Sequence, residues 1–327
     1  VASNPAQPFR VEAAIENSRK FLASPEPPPS VKESTVLTQL YAIGNLGTLY
    51  LEINDLAKAF SIYQYYQQQI LEKFSNNRFE IGRSLLFLAI ISNERHQYAQ
   101  GKDYSLDAII NMKASGNPET GWEADAYAQA AVAFHHLNGI DSASFYYEKA
   151  NQIQKKINTT SYDKQYFYFQ GLLSDFYSTT GRPDKAIAIA SDGLHYLTRT
   201  TGQHSIRTIR MLNSLVIAQY KGTRYKDAEK NSIKGITSLR LLLSESKDFS
   251  DSLTIEKELP GFILFKAKSS YQQLSKKEVP VIKALLSDLE EAMNIFEKRK
   301  ATYTDYTGVG GLLTEYKELT DFIKQLN

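Results

Sequence analysis

The sequence contains no cysteine, and this absence removes three kinds of chemistry at once. Without a thiol among its 327 residues, the chain cannot form disulfides, use a thiolate as a nucleophile or bind zinc through cysteine. Methionine and tryptophan are scarce, at 3 and 1 residues, whereas tyrosine and phenylalanine are abundant, at 21 and 16. We expect the abundant aromatic side chains to pack between helices, where large flat rings fill grooves.

Long apolar runs and an excess of one charge are also missing. No uninterrupted apolar stretch approaches the roughly 20 residues of a membrane span, and no basic start followed by an apolar stretch opens the sequence. The 38 basic and 36 acidic residues leave a net charge of +2, which gives no electrostatic reason to expect a nucleic acid or an anionic membrane as partner. We therefore expect no nucleic-acid binding, no membrane insertion and a cytoplasmic location, with removal of a signal peptide left open.

Residue patterns typical of catalysis are absent as well. Adjacent His135 and His136 would point about 100° apart on a helix, so they cannot easily bind one ion together. The sequence has no Gly-x-Ser-x-Gly elbow, and the glycine-rich run at 308–311 lacks the Lys-Ser or Lys-Thr that ends a phosphate-binding loop. We predict no catalytic residue, no metal site and no cofactor, and a chain that is not an enzyme as given.

What the sequence does contain is a repeat of about 42 residues. A small or β-branched residue, the marker, recurs at near-constant spacing, and a small residue follows each marker twelve positions later. The markers are Gly47, Ala89, Ala131, Ser174 and Val216, and the second set is Ala59, Gly101, Ala143, Ala186 and Ala228. Small residues let two helices approach closely, so each unit is predicted to be a helical hairpin.

The clearest units run from Leu46 to Tyr63 and from Ala130 to Ala150. Their order, Leu-Gly-x-x-Tyr followed by small, aromatic and small residues in the second helix, resembles the tetratricopeptide repeat (TPR). The usual TPR period is about 34 residues, so the longer period here leaves about one extra turn for each helix. The resemblance covers about residues 31 to 300. It implies an all-α fold, a TPR-like right-handed superhelix of five to six hairpins. It also implies that the protein is a non-catalytic scaffold that recognises a protein or peptide.

The repeats do not fill the whole chain. Residues 1–30 are predicted to hold a helix, at about 9–23, and a proline-rich linker, and residues 31–243 the five repeats. Residues 244–327 are predicted to hold a long polar loop, an irregular sixth repeat with a helix at 282–300, and a capping helix at about 312–326.

The last repeat carries a second resemblance. The order Lys266-Ala267-Lys268-x-x-Tyr271, then a loop, then the helical run 289–303, is similar to the last repeats before a CHAT (caspase-like) peptidase domain. This resemblance implies a regulatory or sensing region of a longer cysteine peptidase, although nothing of the peptidase lies in these residues. Two alternatives stay open: a sensor of a peptide pheromone or small molecule, with a closed cavity near Tyr168, and self-association through the superhelix ends.

The candidate binding residues follow from the geometry of the first helix in each hairpin. The side opposite the partner helix carries the residues six and two before the marker and one and five after it. We call these the groove positions and expect a protein or peptide partner to bind along them. The candidate residues are Tyr41, Asn45, Glu52, Arg83, Glu94, Asp125, Gln129, His136, Tyr168, Asp175, Arg210, Ser214 and Lys221.

Overall fold

The computed structural model describes residues 33–52, 55–157, 164–246, 249–275, 278–302 and 310–326. The predicted helix at 9–23 and the proline-rich linker after it lie outside these residues. Every regular element of the described part is an α-helix. The helices are α1 (Glu33–Glu52), α2 (Leu56–Lys73), α3 (Arg78–Glu94), α4 (Tyr98–Ala114), α5 (Gly121–His136), α6 (Ile140–Ile157), α7 (Lys164–Thr179), α8 (Pro183–Thr201), α9 (Ile206–Lys221), α10 (Tyr225–Glu245), α11 (Phe249–Glu256), α12 (Leu259–Gln272), α13 (Val279–Thr302) and α14 (Gly310–Leu326).

Each predicted hairpin is a pair of consecutive helices, and the small residues lie where its two helices meet. Ser174 on α7 donates its hydroxyl hydrogen to the carbonyl oxygen of Ala186 on α8, at 3.1 Å, which joins the two small positions of that hairpin directly. A Cβ added to Gly47 would lie 2.6 Å from the ring of Tyr63. The spacing of twelve therefore marks close helix contact, as the sequence indicated.

The turns inside the hairpins share one backbone conformation. Four of them contain a residue with positive φ, and the backbone N–H of the next residue bonds to a carbonyl five positions earlier, as in the Schellman motif. The residues with positive φ are His96, Asn138, Gly181 and Thr223, at 59°, 63°, 75° and 59°. The bonds run from Gln97 to Ser92, Gly139 to Phe134, Arg182 to Tyr177 and Arg224 to Gln219, each at 2.8 Å. The four turns therefore have the same local geometry.

The described helices fall into two compact units. The first unit ends at Tyr166 and contains helices α1 to α6 and the start of α7. The second unit begins at Phe167 and contains the remainder of α7, helices α8 to α13, and α14 from Gly311. Inside the first unit, α3 packs against α4 and α5 against α6; inside the second, α9 packs against α8 and α10. Each unit therefore has its own stack of hairpins.

The end of the chain departs from the repeat in one unexpected way. The polar stretch after Leu243 is not the predicted long loop, because α10 continues to Glu245 and the short helix α11 follows. The sixth hairpin is α12 with α13, where Lys266 on α12 pairs with Asp288 on α13 at 2.7 Å, and Ala267 and Ala292 are fully buried. α14 packs onto it through the rings of Tyr271 and Phe322, whose centroids are 5.8 Å apart.

Candidate binding surfaces

Helix α3, the first helix of its hairpin, shows which side of such a helix remains accessible. In α3 the residues at the groove positions stay at least partly exposed, while most residues between them are buried. These residues are Arg83, Phe87, Ile90 and Glu94. Side chains at such positions are the ones that a partner could reach on the first helices.

Arg83 is the centre of a network that holds a cation against aromatic rings. Its Nη2 lies 2.9 Å from Oε2 of Glu80 and donates to the hydroxyl oxygen of Tyr66 at 2.7 Å. Its guanidinium carbon lies 4.4 Å from the ring centroid of Tyr41 and 5.8 Å from that of Trp122. Stacking of this kind adds a cation–π attraction to the ion pair. The side chain of Arg83 is 19 % exposed, so it is largely enclosed by these partners and only partly open to solvent.

The carboxylate of Glu80 is the anchor of this network. Its side chain is only 6 % exposed, and a buried carboxylate is stable only when it is paired and hydrogen-bonded. Tyr41 donates its hydroxyl hydrogen to Oε1 at 2.9 Å, and Tyr66 donates to Oε2 at 3.1 Å. Burial raises the pKa of the Tyr66 hydroxyl well above its usual range, which keeps this donor protonated. The carboxylate therefore links α1, α2 and α3.

An aromatic stack continues the same surface. The rings of Phe87 and Tyr63 are stacked with centroids 4.4 Å apart, and Phe87 and Trp122 are 5.7 Å apart. Tyr63 is fixed beneath them, because its hydroxyl donates to the carbonyl oxygen of Gly44 at 2.8 Å. Phe87 and Trp122 remain partly exposed. We call the set Tyr41, Tyr66, Glu80, Arg83, Phe87 and Trp122 the arginine–aromatic cluster.

Two predicted groove residues of the first unit are buried instead. Asp125 is 7 % exposed and Gln129 is 2 % exposed. Asn93 on α3 donates from Nδ2 to the backbone oxygen of Gln129 at 3.0 Å and to its Oε1 at 2.9 Å. Gln129 therefore contacts the preceding hairpin and is not accessible to a partner, contrary to the prediction for a groove residue. Asp125, on the same helix, is also buried.

The other groove residues of the first unit lie nearer the solvent. Asn45, Glu94 and His136 are exposed, and Glu52 is partly exposed. His136 stacks on Tyr98 with ring centroids 4.1 Å apart and planes 4° apart. Although the residue as a whole is exposed, desolvation of its ring, with smaller contributions from the neighbouring histidines, lowers the pKa of His136 to about 4, so this imidazole is neutral at physiological pH.

In the second unit the groove residues differ in their exposure to solvent and in whether they form ion pairs. Tyr168 is 45 % exposed, so its ring is open to solvent. Arg210 donates from Nε to Oε1 of Glu258 at 2.8 Å, and Lys221 is exposed. The arginine is therefore already paired, whereas the lysine projects from the end of α9.

Asp175 and Ser214 form a contact between the first helices of two neighbouring hairpins. Ser214 is 8 % exposed, and its side chain lies near the carboxyl group of Asp175. Oδ1 of Asp175 is buried and accepts no hydrogen bond from the described residues. Burial raises the pKa of Asp175 to about 7, and the nearby hydroxyl group of Ser214 offsets only part of this effect. The two groove positions thus meet, which the sequence did not indicate.

Trp122 was missed by the sequence reasoning. It lies at the start of α5, three residues before the first groove position of its hairpin, so the spacing rule does not select it. A usable signal did exist, because Trp122 is the single tryptophan of the chain and tryptophan is enriched where protein surfaces bind.

An apolar cleft of about 310 Å³ lies against the first hairpin, lined by Ile43, Leu46, Ser61, Ile62 and Tyr65. Its lining carries no charged group. Within the described ranges, no group of three or more histidine, aspartate or glutamate side chains could hold a metal ion. In that same part of the chain, no helix is long and apolar enough to span a membrane.

Comparisons with known proteins identify the fold. No protein-family model matches the sequence, and no curated protein matches it. The crystal structure of BtubC (BKLC) from P. vanneervenii matches with a TM-score of 0.55 at 11 % identity, over 78 % of this chain and 93 % of that one. Two crystal structures of a putative kinesin light chain from Podosopora anserina with nearly identical TPR-like repeats, one of them a single-substitution variant, match over 64 % of this chain and 97 to 98 % of theirs. Their TM-scores are 0.47 to 0.48, at 11 to 12 % identity.

The likeness to BtubC, together with the hairpins described above, defines the fold class of the protein. The predicted fold, an all-α solenoid of TPR-like helical hairpins, is confirmed. Identities of 11 to 12 % show the fold alone, so any ligand has to be argued from the side chains of this chain.

Proposed function

We propose that the chain is a non-catalytic scaffold that binds a protein or peptide partner along the groove positions of its first helices. The arginine–aromatic cluster is the observation that supports this proposal most strongly. TPR-like folds generally mediate protein interactions, and the cluster supplies side chains of the types that dominate binding energy at protein interfaces.

The physical argument rests on how the cluster is held. A flexible arginine or aromatic side chain loses conformational freedom when a partner immobilises it, which lowers the affinity. Arg83 is already fixed by Glu80 and Tyr66, and Phe87 is already stacked on Tyr63. A partner that docks here therefore meets a preorganised surface.

The test is a selection of random displayed dodecapeptides on the immobilised protein, followed by measurement of their affinities. Trp122→Ala should weaken the selected peptides about tenfold or more, because it removes an aromatic ring from the cluster. Phe145→Ala is the matched control, since this phenylalanine is 53 % exposed on α6 and belongs neither to the cluster nor to the apolar cleft. Equal losses for both variants, or no loss for Trp122→Ala, would contradict binding at the cluster. Circular dichroism checks that each variant remains helical.

A second candidate function, regulation of a longer CHAT-type cysteine peptidase, is favoured by the sixth hairpin. α12 carries Lys266 to Tyr271 and α13 follows after a short connection, which is the order of elements in the resemblance described above. In that case the hairpins would hold or release a downstream peptidase when a partner binds. The reading frame past Asn327 tests this idea, because a continuation without histidine and cysteine in a peptidase-like segment, or a stop codon, contradicts it.

Self-association through the ends of the repeat array is a further mode of partnership that the repeats suggest. Its test is the molar mass across a wide range of concentrations, measured by light scattering after size exclusion. A mass that stays at the monomer value of 37.0 kDa would contradict it.

A further inference from the structure

The first hairpin is less covered on one side of its first helix than the later hairpins are. At the positions five before and two after the marker, α3, α5 and α9 carry buried residues that are at most 3 % exposed. These residues are Ser84 and Ile91, Ala126 and Ala133, and Met211 and Ala218. In α1 the same two positions hold Ala42 and Leu49, and both are partly exposed.

The later first helices each have a neighbour that α1 lacks in the described part of the chain. Helix α3 packs against α2, α5 against α4 and α9 against α8, so each contacts the second helix of the hairpin before it. Helix α1 is the first one that the structure describes, and no described hairpin precedes it. A hairpin at the end of a repeat array usually presents a polar outer face, because no neighbour covers it.

The first hairpin does not present such a polar face. Its apolar cleft of about 310 Å³ is lined by Ile43, Leu46, Ser61, Ile62 and Tyr65. Tyr65 is 51 % exposed and lies eighteen residues after the marker, a position that carries a charged residue in the other four hairpins. Those residues are Asp107, Lys149, Asp192 and Lys234. The aromatic side chain therefore adds apolar surface where the other hairpins have a charge.

The position of Tyr65 on α2 shows which way this surface faces. Tyr63 is stacked on Phe87 of α3 at 4.4 Å. Tyr66 accepts a hydrogen bond from Arg83 of α3 at 2.7 Å. Tyr65 lies about 100° from Tyr66 and about 200° from Tyr63 around the helix axis, so it is on the side of α2 away from α3. The cleft therefore opens on the side where a preceding hairpin would pack.

The chain contains a segment whose residue pattern suits this surface. Residues 9–23, the predicted helix before the proline-rich linker, place four apolar side chains within about 100° of one another around a helix axis. These are Val11, Ala14, Ile15 and Leu22. Glu16 and Lys20 fall on the opposite side, so such a helix would have one apolar face and one charged face.

The segment is also close enough in the chain to reach the cleft. Ten residues separate Ala23 from Glu33, and they can span about 33 Å. A helix over residues 9–23 would be about 22 Å long, and Leu46 lies about 20 Å along α1 from Glu33. The segment can therefore run back along α1. It also directly precedes α1 in the chain, as α2 precedes α3.

We propose that residues 9–23 bind as a helix in the apolar cleft of the first hairpin and cover its outer face. Val11, Ile15 and Leu22 then pack beside Leu46 and Tyr65, and the charged face of the segment meets the solvent. This inference goes beyond the proposed scaffold function, because it assigns a ligand from the same chain to the cleft. The described residues that line the cleft are not members of the arginine–aromatic cluster.

The test uses the absence of cysteine from the sequence, which allows two thiols to be introduced at chosen positions. The 327-residue chain with Ile15→Cys and Tyr65→Cys is treated with a short bismaleimide, and intramolecular crosslinking is followed by mass spectrometry. The matched control combines Ile15→Cys with Asp107→Cys, an exposed residue at the same repeat position of α4. Crosslinking should be about tenfold faster with Tyr65→Cys, because binding raises the effective concentration of the segment at the cleft alone.

Three results would overturn the inference. Equal rates for the two pairs would mean that the segment does not bind at the cleft, and crosslinks that join two molecules would place a second copy there instead. Hydrogen exchange of the unsubstituted protein gives an independent measurement: the backbone amides of residues 9–23 should be protected, and exchange at the rate of an unfolded chain would exclude a bound helix. These measurements need no partner, so they leave the scaffold function to its own test.

Discussion

The guanidinium carbon of Arg83 lies 4.4 Å from the ring centroid of Tyr41, and both side chains are bound to one carboxylate. Tyr41 donates to Oε1 of Glu80, and Arg83 pairs with Oε2. The cation and the ring therefore cannot move apart without breaking a buried hydrogen bond or ion pair. Such coupling makes the exposed part of the cluster rigid, which is what a preorganised binding surface requires.

The hydroxyl group of Tyr66 should matter for stability because it both accepts from Arg83 and donates to Glu80. Tyr66→Phe leaves the buried carboxylate with one donor fewer, so we expect the free energy of unfolding to fall by about 1 to 2 kcal/mol. Urea denaturation measures this change. Tyr65→Phe provides the control, since that side chain is 51 % exposed and should change stability by less than about 0.5 kcal/mol. Similar effects at the two positions would refute the buried network.

Two glycines of α1 should respond in opposite directions to the same substitution. Both lie inside the helix, where alanine is favoured over glycine by about 1 kcal/mol. At Gly44 the nearest atom to an added Cβ is 3.7 Å away, whereas at Gly47 it is a ring carbon of Tyr63 at 2.6 Å.

Gly44→Ala should therefore raise the melting temperature, and Gly47→Ala should lower it, because overpacking costs about 1 to 3 kcal/mol. Thermal unfolding followed by circular dichroism distinguishes the two. If Gly47→Ala were also stabilising, the close approach of α1 and α2 at the marker position would be wrong.

The same positions show why the fold could be predicted from the sequence. Close contact between helices restricts Gly47 and Ala59 to small side chains, and this restriction recurs with the period, so it is visible in the residues themselves. No repeated residue pattern indicates helix α11, because residues Phe249 to Glu256 lie outside the 42-residue repeats and follow a polar stretch. Local composition indicated a loop there, and the helix formed nonetheless.

The candidate site was less predictable because its environment depends on distant residues. Gln129 is buried where it accepts hydrogen bonds from Asn93, 36 residues earlier. The sequence around Gln129 contains no pattern from which this contact could be predicted. The helical period gives the direction in which a side chain points, but it does not say what the next hairpin places there. For the same reason the contact between Asp175 and Ser214 could not be foreseen, although each was a candidate by itself.

Acidification should weaken the fold through His136. Its pKa is lowered to about 4 by burial, against about 6.5 in an unfolded chain, so the unfolded state takes up the proton first as the pH falls. The contribution of His136 to the free energy of unfolding is therefore complete above about pH 6.5, and it is lost as the pH falls from about 6.5 to about 4. Proton NMR of the imidazole ring should show a midpoint near 4. His136→Gln should narrow the difference in unfolding free energy between about pH 7.5 and pH 5, and an unchanged difference would contradict the desolvation of this ring.

Asp175 should have the opposite dependence on pH. Its pKa is raised to about 7 by burial, against about 3.9 when unfolded, so the folded state holds the proton to a higher pH than the unfolded state. Its contribution to stability is complete below about pH 3.9 and is lost as the pH rises to about 7.

Asp175→Asn removes this titration and keeps a hydrogen-bonding side chain of the same size. Relative to the wild type, the variant should therefore gain stability between about pH 5 and pH 8, by about 1 to 3 kcal/mol at about 1.4 kcal/mol for each pH unit of unequal protonation. Urea denaturation of both proteins at the two pH values measures the gain. A difference between them that does not change with pH would mean that the carboxyl group of Asp175 titrates normally, and its buried oxygen would then have no energetic consequence.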